Sequence, residues 1–451
     1  MPENNIHKAL LFIALVVAGS LLLFFIPGFG REGWELKKVD VLSDIRVKKN
    51  HTPAAADTMA IERKQVHTEP GDSTKIGFDD YSEGRDALHR FYDALSSHRQ
   101  VRIAYFGDSF IEGDLLTGSL RSLLQEKQGG HGVGFIPINC LTAGFRTTTV
   151  TSADGWEEHC LTDSVFDRRK QGISGYYFIP QTNATASFSC RIVSGNKTDT
   201  CSEAAFYLIT DGGLKFTTTV NKQIQKQYSV AGSPNIQKVS VFGRIGQVKI
   251  TIDNPGTNTR FFGVTLDEEN TGVVVDNYSL RGVSGETLSS IPGKTLQDFD
   301  KLRSYDLIVL QYGLNVATKT GSNYDYYKKS MTQVINYLRK NLPSSDFLLV
   351  SVGDRAAKID DEMGTMPGAK NLVATQQAIA SECGIAFWNL MDVMALDGGM
   401  VEFVKSKPPK ANLDYTHINL RGGELIAKHL FETIMYEKER YIGKKNSEAL
   451  K

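Results

Sequence analysis

Four short stretches carry residue types that can do chemistry. Gly107-Asp108-Ser109 follows the apolar run VRIAYF at 101–106, and LLTGSLRSLLQEK follows at 115–127. The first reads as a buried strand and the second as a helix. A hydroxyl therefore stands at the carboxyl end of a strand, the edge where open α/β sheets bind ligands. A serine there can present its own backbone N–H beside its oxygen, ready for an oxyanion. Asp414-Tyr415-Thr416-His417 precedes the last helical pattern. Imidazole titrates near neutral pH and suits the removal of a serine proton. Such a base needs a partner on its other ring nitrogen, and a carboxylate three residues earlier in a loop can reach it. Asn315 lies just beyond the strand-like YDLIVLQYG at 305–313, placed to donate a side-chain N–H to a developing oxyanion. Gly282 ends GVVVDNYSLRG at 272–282, where the missing side chain lets a substrate approach the backbone N–H. Each stretch also has a purely structural reading. Ser109 can cap a helix, Asp414 or Asn419 can cap the final one, and Asn315 and Gly282 can be turn residues. Their shared placement at strand ends is what favours a site.

Positioning those ends requires a sheet. Ala87, Leu88, Phe91, Tyr92 and Leu95 recur at helical spacing before the first strand. Beyond 272 the spacing predicts strands within 272–282, 305–313, 346–354 and 385–391. Helices are expected over 326–342, 371–383 and about 420–437. Strands alternating with helices indicate a parallel sheet covered on both faces. Between about 145 and 266 the pattern changes to some eight short runs of period two, such as ATASFSCRIV and QVKITID. Asp211-Gly212-Gly213, Gly232-Ser233-Pro234 and Asn254-Pro255-Gly256 punctuate them. That spacing suggests a β-sandwich or jelly roll. The expected organisation is α/β over 84–144 and 272–440, interrupted by a β domain over 145–271, with a tail over 441–451.

Composition narrows the class. The 451 residues exceed one ordinary domain, and their 41% hydrophobic share supports a sizeable core. Lys plus Arg equals Asp plus Glu at 51 each, and no basic run occurs, which argues against nucleic acid as a partner. Residues 9–27, ALLFIALVVAGSLLLFFIP, hold no charge and just span a hydrocarbon core. No small-x-small cleavage site follows, so 1–28 reads as an uncleaved transmembrane signal anchor, with cleavage and secretion as the second choice. The stretch 29–83 lacks periodicity and reads as a tether. Five cysteines without C-x-x-C spacing or clustered histidines point to no metal, and nothing calls for a cofactor. Cys190 with Cys201, and less so Cys140 with Cys160, could bridge in an oxidising compartment, while Cys383 reads as a buried thiol. No G-x-S-x-G elbow occurs. Gly293-Lys294-Thr295 lacks the phosphate-loop glycine five residues earlier, where Leu288 stands.

Ser109, Gly282, Asn315 and His417, in that order and with Asp414 three before the histidine, resemble the four blocks of the SGNH/GDSL hydrolases over most of 84–440. Phe110 replaces the leucine of the GDSL form. DALHRFYDAL, HGVGFIP, GVVVDNYSLRG and Asp397-Gly398-Gly399-Met400 are further similar to the peptidoglycan O-acetylesterases of that family. The resemblance implies a flavodoxin-like parallel sheet and an inserted jelly roll similar to carbohydrate-binding modules. It implies Ser109 as nucleophile, His417 as base, Asp414 as its orienter, and an oxyanion hole from the Ser109 and Gly282 amides and the Asn315 side chain. The implied activity is removal of O-acetyl groups from envelope glycan through an acyl-enzyme, in the periplasm or outside the cell. An O-acetyltransferase with the same triad, a polysaccharide (xylan) acetylesterase and a non-catalytic glycan-binding protein are the alternatives.

Overall fold

The computed structural model describes residues 76–191, 200–268 and 270–449. It also gives the backbone of one separate antiparallel pairing, Gly30–Arg31 with Trp34–Glu35. The apolar span 9–27 and most of the tether lie outside the described residues. Among the described residues no helix is long and apolar enough to cross a membrane.

A six-stranded sheet runs in the order Val273–Ser279, Val101–Gly107, Leu307–Gln311, Asp346–Val350, Ala386–Trp388, Asp79–Asp80. The first five strands are parallel, and Asp79–Asp80 closes the edge antiparallel. These parallel strands are almost wholly buried, as sheets covered by helices on both faces must be. In chain order they run 2-1-3-4-5. The order reverses at Val101–Gly107, and such a switch point opens a crevice beyond the carboxyl ends. The register shows what that crevice collects. Gly107 pairs with Ser279 on one side and Gln311 on the other. Three strands thus end level, two to four residues before Ser109, Gly282 and Asn315. Gly107 must be glycine there, because a Cβ would lie 2.8 Å from the Ile111 side chain and 2.9 Å from the Gln311 carbonyl.

Nine antiparallel strands form the second sheet system. Its two halves join through a single residue pair, Phe261 with Phe178. One half holds strands Thr149–Cys160, Tyr176–Cys190, Gln247–Asn254, Leu214–Val220 and Ile224–Val230. The other holds Gly132–Ile136, Arg260–Asp267, Cys201–Thr210 and Ser233–Ile245. Gly132–Ile136 comes from the stretch assigned by sequence to the α/β part, yet it pairs with Arg260–Asp267.

Helix Gly293–Arg303 wedges between the two systems. Phe299, fully buried, meets Tyr207 at 5.4 Å, Phe262 at 6.0 Å and Phe135 at 6.3 Å between ring centroids. Burying such a ring contributes about 1.5–3 kcal/mol. From the same helix Arg303, 1% exposed, pairs with Asp267 of the antiparallel system and Asp276 of the parallel sheet.

The last helix is longer than its pattern suggested, running Leu420–Ala449 through most of the expected tail. No proline or glycine pair stops it. Its end is held down by Tyr441 against His89 and Tyr92, and by Lys445 on Asp93 at 2.6 Å. The five cysteines are free thiols in this structure, with Cys383 buried as expected.

Candidate functional site

Ser109 follows its strand by two residues in a tight turn and is 4% exposed. Its Oγ lies 3.0 Å from His417 Nε2, and His417 Nδ1 lies 2.8 Å from Asp414 Oδ2. The geometry fixes the proton positions. An ionised carboxylate only accepts, so Nδ1 carries the hydrogen and the neutral ring's Nε2 is left to accept from Ser109.

The loop that holds the histidine is built by the aspartate itself. Asp414 Oδ1 accepts from the amides of Thr416 at 2.9 Å and His417 at 3.0 Å, leaving Oδ2 for the ring. Tyr415 takes a left-handed backbone (φ 54°) to close this turn. The Ala411–Ile418 bridge and the Asn412 amide on the His417 carbonyl at 2.8 Å brace its base. Burial alone would raise the Asp414 carboxyl. The hydrogen bonds from the His417 amide and ring and the Thr416 amide outweigh it and hold the group below its ordinary value. Asp414 thus stays a carboxylate throughout the neutral range.

Gly282 and Asn315 lie on the adjoining loops. Gly282 has φ 81°, a conformation strained for other residues, and nothing within 4 Å of where a Cβ would stand. Its approach is open. Asn315 is exposed, and its Nδ2 donates to the Val283 carbonyl at 2.8 Å. A primary amide has two N–H groups, so this bond orients the side chain and leaves one donor over. The Ser109–His417–Asp414 chain is therefore fully assembled, and the two remaining expected residues flank it.

Three further residues escaped the sequence reading. Arg355 Nη1 donates to the carbonyls of Leu314 and Ala317, each at 3.0 Å, while its Nε donates to Thr416 Oγ1 at 3.1 Å. It ties the Asn315 loop to the His417 loop. Arg281, beside Gly282, pairs with Glu112, three residues after Ser109, and so joins the other two loops. Neither partnership leaves a local trace, since each spans 38 or more residues. The third is Asp108, whose signal was its place next to Ser109. It is 1% exposed and accepts from the Phe110 amide at 3.0 Å and the Leu314 amide at 3.3 Å.

Burial pushes the Asp108 carboxyl up to about 6, and the amides of Phe110, Leu314 and Gly313 pull the other way. The unfolded chain ionises near ~3.9. The folded protein therefore holds this proton more tightly. The stability it contributes is present below about pH 4 and lost as pH rises through about 6. Across urea unfolding from about pH 4 to 7, stability relative to Asp108→Asn should fall by ~3 kcal/mol. A constant difference would show Asp108 to be solvated instead.

No family model and no curated protein matches this chain. Among solved structures, one described as a peptidoglycan O-acetylesterase in action superposes with a TM-score of 0.66 at 17% identity, over 80% of this chain and 99% of that one. An acetyl xylan esterase matches at 18% identity over 36% of this chain and 80% of that one, with a TM-score of 0.27. A GDSL-like lipase from Parabacteroides merdae matches at 17% identity over 36% and 72%, also with 0.27. The first superposition carries the assignment, and at this identity it fixes the fold and leaves the chemistry to the residues. This chain shares the fold of that structure, a parallel α/β sheet with an additional antiparallel β domain.

Proposed function

We propose that the chain is a serine carboxylic-ester hydrolase that removes O-acetyl groups from an envelope glycan, with peptidoglycan the first choice and acetylated polysaccharide the second. The observation that carries this is the unbroken chain Ser109 Oγ, His417, Asp414 at the carboxyl edge of a parallel sheet, at 3.0 and 2.8 Å. The similarity to the structure of a peptidoglycan O-acetylesterase supports the choice of glycan.

In this reading His417 Nε2 takes the Ser109 proton as Oγ bonds the acetyl carbon. The Ser109 and Gly282 amides and the free N–H of Asn315 hold the oxyanion. Each such donor is worth about 10²–10³ in rate. The protonated ring then returns its proton to the departing sugar oxygen, and water releases acetate by the reverse sequence. Residues 84–144 and 272–440 form the catalytic part, except for strand Gly132–Ile136, which joins the inserted sandwich of jelly-roll type over 145–271. The segment 1–28 anchors the chain, the stretch from 29 to the edge strand Asp79–Asp80 tethers it outside the membrane, and the last helix continues through the expected tail to Ala449.

Acetate release from O-acetylated peptidoglycan, measured beside acetylated xylan and p-nitrophenyl acetate, tests the proposal. Faster release from peptidoglycan is expected. Acetate from none of the three would overturn it. Transfer of the acetyl group to an added acceptor sugar in place of water would turn the reading to an acetyltransferase.

A further inference from the structure

Arg355 stands five residues beyond the parallel strand Asp346–Val350, at the carboxyl edge that Ser109 shares. Its backbone is tied to the histidine turn. The Arg355 carbonyl accepts from the Met366 amide at 2.8 Å, and the next amide, that of Ala356, donates to the Tyr415 carbonyl at 3.0 Å. Tyr415 lies two residues before His417.

The side chain reaches a second loop. Residues 312–324 hold neither helix nor strand, so their carbonyls need donors from elsewhere. Leu314 and Ala317 are each 6% exposed, and both carbonyls accept from Arg355 Nη1 at 3.0 Å. Asn315 stands between them. Arg355 Nε donates at 3.1 Å to the hydroxyl of Thr416, which is buried and next to His417. One rigid guanidinium plane thus fixes the backbone on both sides of Asn315 and the residue before His417. All three acceptors are neutral oxygens, so the bonds depend on the directions of the N–H groups. A lysine ammonium, a point charge on a flexible stem, has no such fork.

We propose that Arg355 is a positioning residue for ester hydrolysis, which sets the place of the Asn315 oxyanion donor relative to the His417 base and acts only through those two residues. The inference rests on the serine-esterase reading. As Ser109 attacks, its proton must meet the base while the carbonyl oxygen meets the donor. A misplacement of about 1 Å can cost about a hundredfold in rate.

The first readout is kcat and KM on p-nitrophenyl acetate. Arg355→Met keeps the stem and removes the fork. It should lower kcat about a hundredfold, with KM within about threefold of the parent protein. Thr416→Val breaks the Nε bond at nearly constant shape and should lower kcat about tenfold. Both cut the same clamp, so the double variant should lie within about threefold of Arg355→Met. Losses that multiply, a loss confined to KM, or parent-like kcat in Arg355→Met would overturn the proposal. Arg355→Lys keeps the charge without the fork and should stay within about threefold of Arg355→Met. Recovery of the parent rate by Arg355→Lys would overturn the clamp, because charge alone would then suffice. Circular dichroism reports folding, and if Arg355→Met does not fold, Thr416→Val decides by the same readouts. The second readout is the rate at which a fluorophosphonate labels Ser109, which uses the same base and donors and needs no acetyl ester to be turned over. Labelling slowed in both variants supports the clamp even if the parent protein hydrolyses no acetyl ester. Labelling as fast in the variants as in the parent overturns it even where the parent releases acetate.

Discussion

Ser109→Ala should lower acetate release by roughly five to six orders of magnitude while leaving the fold intact, because the members of such a triad act as a unit. The reason lies in what His417 is arranged to do. Its Nδ1 hydrogen is committed to Asp414, so Nε2 is a base whose structural neighbour is Ser109 Oγ at 3.0 Å. Without the hydroxyl no acyl-enzyme forms, and what survives is the effect of binding and oxyanion donors on attack by water. The fold should tolerate the change. The His417 side chain is 36% exposed, so water can replace the lost partner. Circular dichroism and the unfolding midpoint are the controls. Activity within tenfold of the parent protein would remove Ser109 from the chemistry.

The largest stability effect should come from Asp114→Asn, a loss of ~3–5 kcal/mol. Asp114 is 1% exposed and sits between two buried guanidinium groups, Arg121 at 3.0 Å and Arg146 at 2.8 Å. Thr117 and Thr148 donate to it as well, at 2.8 and 2.5 Å. Burial by itself would raise the carboxyl, but the two guanidinium charges and these bonds drive it far below the ordinary carboxylate range. A group so depressed contributes stability above about pH 4, the unfolded value, and loses it only in strong acid. The cluster also welds four elements. Arg121 reaches the Val275 carbonyl at 2.9 Å, and Arg146 reaches those of Phe135 and Val133 at 2.8 and 2.7 Å. Asparagine keeps the shape and accepts the left-handed backbone at this position (φ 61°), so backbone strain does not enter. What it removes is the counter-charge for two buried cations. Urea unfolding at neutral pH measures the loss, and a change under 1 kcal/mol would mean that solvent reaches the pair.

Much of this was legible in the sequence, for a physical reason. Buried parallel strands are continuous apolar runs, and their ends are marked by glycine and polar residues. VRIAYF followed by Gly107-Asp108-Ser109 therefore announced both a strand and the edge where chemistry sits. The Asp414–His417 pair was equally local, since three residues of turn set its geometry. Contacts between distant segments left no such mark. Gly132–Ile136 is apolar and glycine-rich, which foretells burial but not a partner some 130 residues away in Arg260–Asp267. Arg355 and Arg281 act only through long-range partners. Asp79–Asp80, at two residues, is too short for any periodicity and lay inside the expected tether. The orientation of Asn315 is set by the Val283 carbonyl of another loop, which spacing could not reveal.

The most direct measurement is covalent labelling with a fluorophosphonate, in which a nucleophilic oxygen displaces fluoride from phosphorus, followed by peptide mapping. One label is expected, on Ser109, formed in step with loss of acetyl-ester hydrolysis. Undiminished acetate release from protein fully labelled at Ser109, or inactivation by a label on another residue, would contradict it.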